Sequence, residues 1–209
     1  FFKQKPAYEI VDCDWSSDVC SSDLARALWR HLQSATPVVS ARPSPVGEGL
    51  QVLVFSPDRP DLFARICGYF DGAGFSIQDA KVHTTRNGYA LDTFQVVNPN
   101  SDDQSASAYR DMIALVETQA SAALASEGPL PPPSRGRVSR RVRSFPVKPR
   151  VALRPDEKAQ RWLLSVSASD RSGLLYAIAR VLAEHQINLD RKSTRLNSSH
   201  SQQSRMPSS

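Results

Sequence analysis

Part of this chain is written twice. Asp58-Arg59-Pro60-Asp61-Leu62-Phe63-Ala64-Arg65-Ile66 returns 112 residues later as Asp170-Arg171-Ser172-Gly173-Leu174-Leu175-Tyr176-Ala177-Ile178. The offset runs without a gap through Phe70 and Leu182 to Gly74-Phe75-Ser76-Ile77 against Gln186-Ile187-Asn188-Leu189. A single offset that spans a turn, a helix and the start of a strand means two copies of one small unit. Beyond Leu189 the second copy stops matching.

Both ends read as foreign to the unit. Asp190 to His200 is what one strand of a common sequencing adapter encodes, and Asp14 to Leu24 is what the opposite strand encodes in one frame. Two protein segments that are complementary as DNA have no evolutionary reason to coexist. Residues 1–24 and 190–209 are therefore set aside as adapter-like and expected to be disordered.

Removing the ends changes the meaning of the composition. Cys13 and Cys20 go, leaving Cys67 on an apolar helix, where a lone thiol packs as a small hydrophobe. No disulfide framework or metal-ligand cluster remains, which fits a reducing, cytoplasmic compartment. No apolar run approaches membrane-spanning length. The formal charge is +5, but Arg135–Arg150 holds seven basic residues and no acid, so the excess describes one segment. That segment is the footing for a nucleic-acid interface; a solvated linker is the plainer reading.

Hydrophobic periodicity places the elements. Ala25–Ala35 reads as the end of a helix, and 37–49, rich in Pro and Gly, as a linker, so that 25–49 forms a helix remnant and linker. Leu50–Phe55 is a buried strand, stopped at Ser56-Pro57. Asp58 or Asp61 can cap the next helix, on which Leu62, Ile66, Phe70 and Ala73 share one face and which Gly74 terminates. Phe75–Thr84 is a strand whose change of phase between Ile77 and Ala80 predicts a bulge. Arg86-Asn87-Gly88 is a hairpin turn leading to the strand Tyr89–Val97. Ser105–Ala125 is a second helix, and Gly128–Gly136 a stiff proline-rich connector. Phe145–Leu153 is the expected fourth strand, at an edge because of Pro146 and Pro149. The order is β-α-β-β-α-β, an α+β, ferredoxin-like arrangement. The first domain then covers 50–153, including the basic linker 128–144. The second covers 161–189 and lacks its hairpin partner, second helix and closing strand.

The strand-to-helix turn is the chemically suggestive feature. A helix start carries free amide hydrogens and the positive end of the dipole, and so can receive a carboxylate. Gly173 permits close backbone approach, and the Asn188 amide can donate to and accept from a small polar ligand. The plain alternative is that Asp58 and Asp170 only cap helices. His83 with Asp79 or Asp92 resembles an acid–base pair, although alternating polar residues usually mark the wet face of a sheet. Gly72-Ala73-Gly74 is a helix terminator, and no nucleotide-binding or catalytic motif occurs. No catalytic residue and no metal ligand is assigned.

The stretches from Val52 to Val96 and from Arg161 to Leu189, with the Asp-Arg-Ser-Gly-Leu turn followed by Gln-Ile-Asn-Leu, resemble consecutive ACT domains. The wording is similar to the tandem found at the C-terminus of bacterial enzymes that uridylylate and de-uridylylate the nitrogen signal protein PII. That resemblance implies amino-acid binding, with glutamine as the expected ligand, and ACT–ACT pairing within or between chains. It also implies PII contact through catalytic domains that lie elsewhere and use Mg and UTP, with no cofactor in this stretch. The implied ligand residues are Asp170, Arg171, Ser172, Gly173 and Leu174 opposite Asn188, and Asp58, Arg59, Asp61, Leu62 and Gln78 in the first copy. Asp61 stands where the family turn has glycine and Ser76 where it has asparagine, so the first copy is expected to be the poorer site. The competing expectation is an ACT interaction module that binds no small molecule.

Overall fold

The computed structural model describes residues 36–45, 47–85, 87–99, 105–134, 148–156, 161–169, 171–187 and 192–195. Ten elements occur among them. They are β1 (Val38–Pro43), β2 (Leu50–Pro57), α1 (Leu62–Gly72), β3 (Ser76–Val82), β4 (Tyr89–Val97), α2 (Ala106–Ala125), β5 (Arg150–Asp156), β6 (Arg161–Ser167), α3 (Leu174–Glu184) and β7 (Lys192–Arg195). One sheet has the order β1-β2-β4-β3-β7, and β5 pairs with β6 in a second. Every pairing is antiparallel.

Several local expectations hold. α1 ends with Gly74 at φ +79°, where Phe75 N–H reaches Phe70 O at 2.8 Å and closes the helix. The second copy ends α3 in the same way, with Gln186 in the left-handed region and Ile187 N–H on Leu182 O at 2.8 Å. The β3–β4 register shifts between Ile77 and Asp79, so the bulge lies at Gln78. Gly88, at φ +75°, forms the hairpin; Arg86 lies outside the described residues. Ser105 caps α2 by accepting from Ala108 N–H.

The strand that closes the sheet is not the expected one. Val38–Pro43, read as part of a linker, is β1 and pairs along its length with β2. Phe145–Val147 lies outside the described residues, and Arg150–Asp156 pairs with β6. The order of the first unit is therefore β-β-α-β-β-α, and the second begins β-β-α in the same way: the position that a trailing strand holds in the expected order is held by a leading one. The physical reason is that an edge position asks only for extended backbone, and β1 also buries Val39 and Ala41 beneath α2. The first unit thus spans 38–125, and β5 opens the second. The repeat carried this signal: Val39-Ser40-Ala41-Arg42-Pro43 returns at the same offset as Val151-Ala152-Leu153-Arg154-Pro155. The registers match too, with Pro43 opposite Leu50 and Pro155 opposite Trp162.

One core holds the first unit together. Leu50, Val52 and Val54 of β2 and Phe94 and Val96 of β4 face Leu62, Ile66 and Phe70 of α1 and Val116, Ala120 and Leu124 of α2. Tyr176 and Ala179 of α3 are buried in the same core, so the second copy packs helix against helix onto the first. Gly68 makes this possible, since a Cβ there would lie 2.9 Å from the Tyr176 ring. The 190–209 segment was expected to be disordered, yet Lys192–Arg195 forms β7 against β3. A sheet edge offers backbone groups that pair with any extended segment regardless of side chains. Lys81 lies opposite Ser193 in this pairing.

Candidate functional site

In the first copy the turn is tied into the protein itself. Asp58 N–H donates to Gly88 O at 2.8 Å, and its Oδ2 accepts from Thr84 Oγ1 at 3.3 Å. Asp61 occupies the N-cap of α1, but its side chain makes no cap hydrogen bond. Its carboxylate accepts instead from Arg65 Nε, one turn on, and lies 3.3 Å from Arg59 Nε, a charge pairing not aligned as a hydrogen bond. Arg59 Nη2 donates to Leu124 O at 2.7 Å, placing a cation at the negative end of α2. Leu62 is a core residue. The expected first-copy residues Asp58, Arg59, Asp61 and Leu62 are thus each engaged within the protein. Gln78 stands at the bulge and donates to Ser76 Oγ at 3.0 Å.

The second-copy turn is arranged differently. Gly173, the N-cap of α3, has φ +73°, a conformation that glycine adopts without strain. Leu174 N–H turns back to Arg171 O at 3.2 Å and Ala177 N–H to Gly173 O at 2.8 Å. The amide hydrogens of Leu175 and Tyr176, in the first turn, have no acceptor among the described residues. Asp170 and Asn188 lie outside those residues.

Arg171, Ser172, Gly173 and Leu174 border a cleft of about 30 Å³ whose opposite wall comes from the first copy. That wall includes Cys67 and Asp71 of α1 and Ser76 and Ile77 of β3. The sequence reading paired each turn with the strand of its own copy. The described cleft instead joins one copy's turn to the other copy's strand, because the α1–α3 contact turns the copies towards each other. Asp71 and Tyr176 were missed for the same reason.

Asp71 forms the floor beside Gly173, where an added Cβ would meet its Oδ1 at 2.8 Å. The carboxylate is held by Ser134, which donates from its backbone N–H at 2.7 Å and from its hydroxyl. Ser134 is the last described residue of the proline-rich connector, which is a strap across both helices. Arg65 Nη2 donates to Gly128 O at 2.8 Å, and Tyr176 Oη and Arg180 Nη1 both donate to Pro131 O. The basic run 135–147 lies outside the described residues. Burial pushes the Cys67 thiol well above its usual range, and the carboxylates of Asp92 and Asp71 add to this. Burial likewise raises Tyr176.

His83 and Asp92 do not form the wet-face acid–base pair considered from sequence. Asp92 is buried on the helix side of β4, where its Oδ1 accepts from the His83 backbone N–H at 3.2 Å. Among the described residues no three His, Cys, Asp or Glu side chains converge as a metal site, and no helix is long and apolar enough to cross a membrane.

No family model and no solved structure matches the chain. Curated relatives do. The chain is 58% identical over 188 residues to the bifunctional uridylyltransferase/uridylyl-removing enzyme of Cupriavidus pinatubonensis, covering 88% of this chain and 22% of that enzyme. It is 60% identical over 164 residues to the enzyme of that name from Ralstonia nicotianae, covering 78% and 19%. The Burkholderia mallei enzyme is 58% identical over the same length, with the same coverage. Over most of its length, therefore, this chain is homologous to the bifunctional uridylyltransferase/uridylyl-removing enzymes, matching about a fifth of the length of each.

Proposed function

We propose that this chain is a regulatory, amino-acid-sensing segment, a pair of ACT-type units, of a PII-modifying uridylyltransferase. Glutamine is the proposed ligand. The observation that supports this best is the cleft between the copies. It sets a helix start whose first-turn amides have no acceptor among the described residues, and Arg171, against Ser76 and the Asp71 carboxylate. An amino acid carries an anion and a cation a few bonds apart. Here its carboxylate meets the amides and guanidinium, and its ammonium meets Asp71. The cleft is well below the ~300–1,000 Å³ of typical ligand sites, so binding requires the copies to part slightly or the rest of the second unit to enlarge it.

On this reading Mg, UTP and PII belong to other parts of the enzyme, no catalytic step is assigned to these residues, and glutamine acts by shifting the balance between transfer and removal of uridylyl groups. Such coupling is typically ~1–3 kcal/mol. Isothermal titration of glutamine into the chain tests it. Saturable heat, lost in Gly173→Val, is expected, because a side chain there collides with Asp71 and meets an unfavourable φ. Absence of heat at about millimolar ligand, a level at which ~4 kcal/mol of binding free energy registers, together with an obligate dimer whose melting temperature no amino acid changes, favours a ligand-free interaction module.

A further inference from the structure

We infer that the proline-rich strap is a latch on the cleft: its grip on α3 holds the two copies closed, and the cleft opens when that grip is released. The two helices hold the strap at different points. α1 holds it on either side of the prolines, where Arg65 Nη2 donates to Gly128 O at 2.8 Å and Asp71 accepts from the backbone N–H and the hydroxyl of Ser134. α3 holds it between those points, where Tyr176 Oη and Arg180 Nη1 both donate to Pro131 O. Among the described residues, that one carbonyl carries the hydrogen bonds between the strap and α3.

The stiffness of the strap turns these contacts into a latch. Pro131-Pro132-Pro133 lies between the two α1 anchors. Proline fixes φ and has no N–H, so a run of three stays extended and cannot sag to follow a moving partner. When α3 moves away from α1, the strap stays on α1 and the bonds to Pro131 O break. The surface that parts is the one that shuts the cleft, because Tyr176 both packs beside Gly68 of α1 and lines the cleft with Gly173 and Asp71. Asp71 joins the latch to the cleft floor: Ser134 binds its carboxylate from the strap side, and its Oδ1 faces Gly173 on the other. A cation entering the cleft therefore shares that carboxylate with the strap. The link to a ligand rests on the amino-acid reading given above; the latch itself does not.

The test uses two variants of the full chain. Tyr176→Phe keeps the ring beside Gly68 and loses the hydroxyl; Arg180→Met removes the second donor, which is one turn further along α3. Amide exchange needs no ligand. In 174–184 it should quicken about fivefold for Tyr176→Phe, the weight of one hydrogen bond, and less for Arg180→Met, whose bond is 3.3 Å long; β2 and β4 should keep their protection. Titration with glutamine reads the coupling, and each variant should bind it more tightly by its own factor, although each is less stable. A residue that only supports the site moves stability and affinity the same way, whereas a latch moves them in opposite directions. Unchanged exchange in 174–184, or glutamine binding that weakens along with stability, overturns the proposal. Faster exchange with no glutamine heat in any of the three proteins supports the latch and removes the amino-acid reading instead.

Discussion

Asp92 offers the sharpest test of how the first unit is held together. It is 1% exposed, on the helix side of β4, opposite Val54. Burial lifts its carboxyl from an ordinary 3.8 to about 7; the nearby charge of Asp58 adds to the rise, and the His83 N–H hydrogen bond opposes it. In the unfolded chain the group titrates near ~3.9. Between the two values the folded protein binds the proton and the unfolded chain does not, so unfolding free energy falls as pH rises from about 4 to about 7. A difference of roughly three units, at ~1.36 kcal/mol each, puts the loss on the order of 4 kcal/mol. Asp92→Asn keeps the size and the acceptor for His83 N–H but cannot ionise. Urea unfolding of both proteins from pH 4.5 to 8 should give similar stability at the acid end. The variant should then gain by ~1.4 kcal/mol per unit through most of the interval and level off above it. Parallel curves would refute the placement of an ionisable carboxyl in this core.

Three further outcomes follow from named contacts. Gly68→Val should undock α3 from α1, because its Cβ would stand 2.9 Å from the Tyr176 ring; amide exchange in 174–184 should accelerate while that of β2 and β4 is kept. Cys67, buried and with its thiol pushed up, should react with a thiol reagent only at the rate of unfolding; fast labelling in native buffer would contradict the packing described. Tyr176→Phe removes the hydroxyl that donates to Pro131 O and should cost about 1 kcal/mol, visible as a lowered urea midpoint and faster proteolysis of the strap.

Much of this was legible in the residues. The 112 offset announced two copies, and apolar spacing placed α1, α2 and α3. Gly74 and Gly88 marked sites where the backbone enters the left-handed region, and the phase change after Ile77 marked the bulge. These features are local, set by side-chain period and by the φ values that glycine permits. Asp61, which stands where the family turn has glycine, has its carboxylate paired with Arg65 and beside Arg59.

Three matters were decided by contacts far apart in the chain. Whether 38–43 or 145–153 closed the first sheet depended on which extended segment α2 could cover, and Val39 and Ala41 won that burial. Asp92 looked like a wet-face residue because alternation alone does not say which side of β4 meets the helices; the packing of α1 over the sheet settled it. The partner of the Gly173 turn was set by the fit of Tyr176 into the space left by Gly68, which brings one copy's helix start to the other copy's β3. Periodicity is a property of neighbouring residues and survives in the text of the chain. Which surfaces finally meet depends on shape and burial summed over distant segments, and those exist only once the chain has folded.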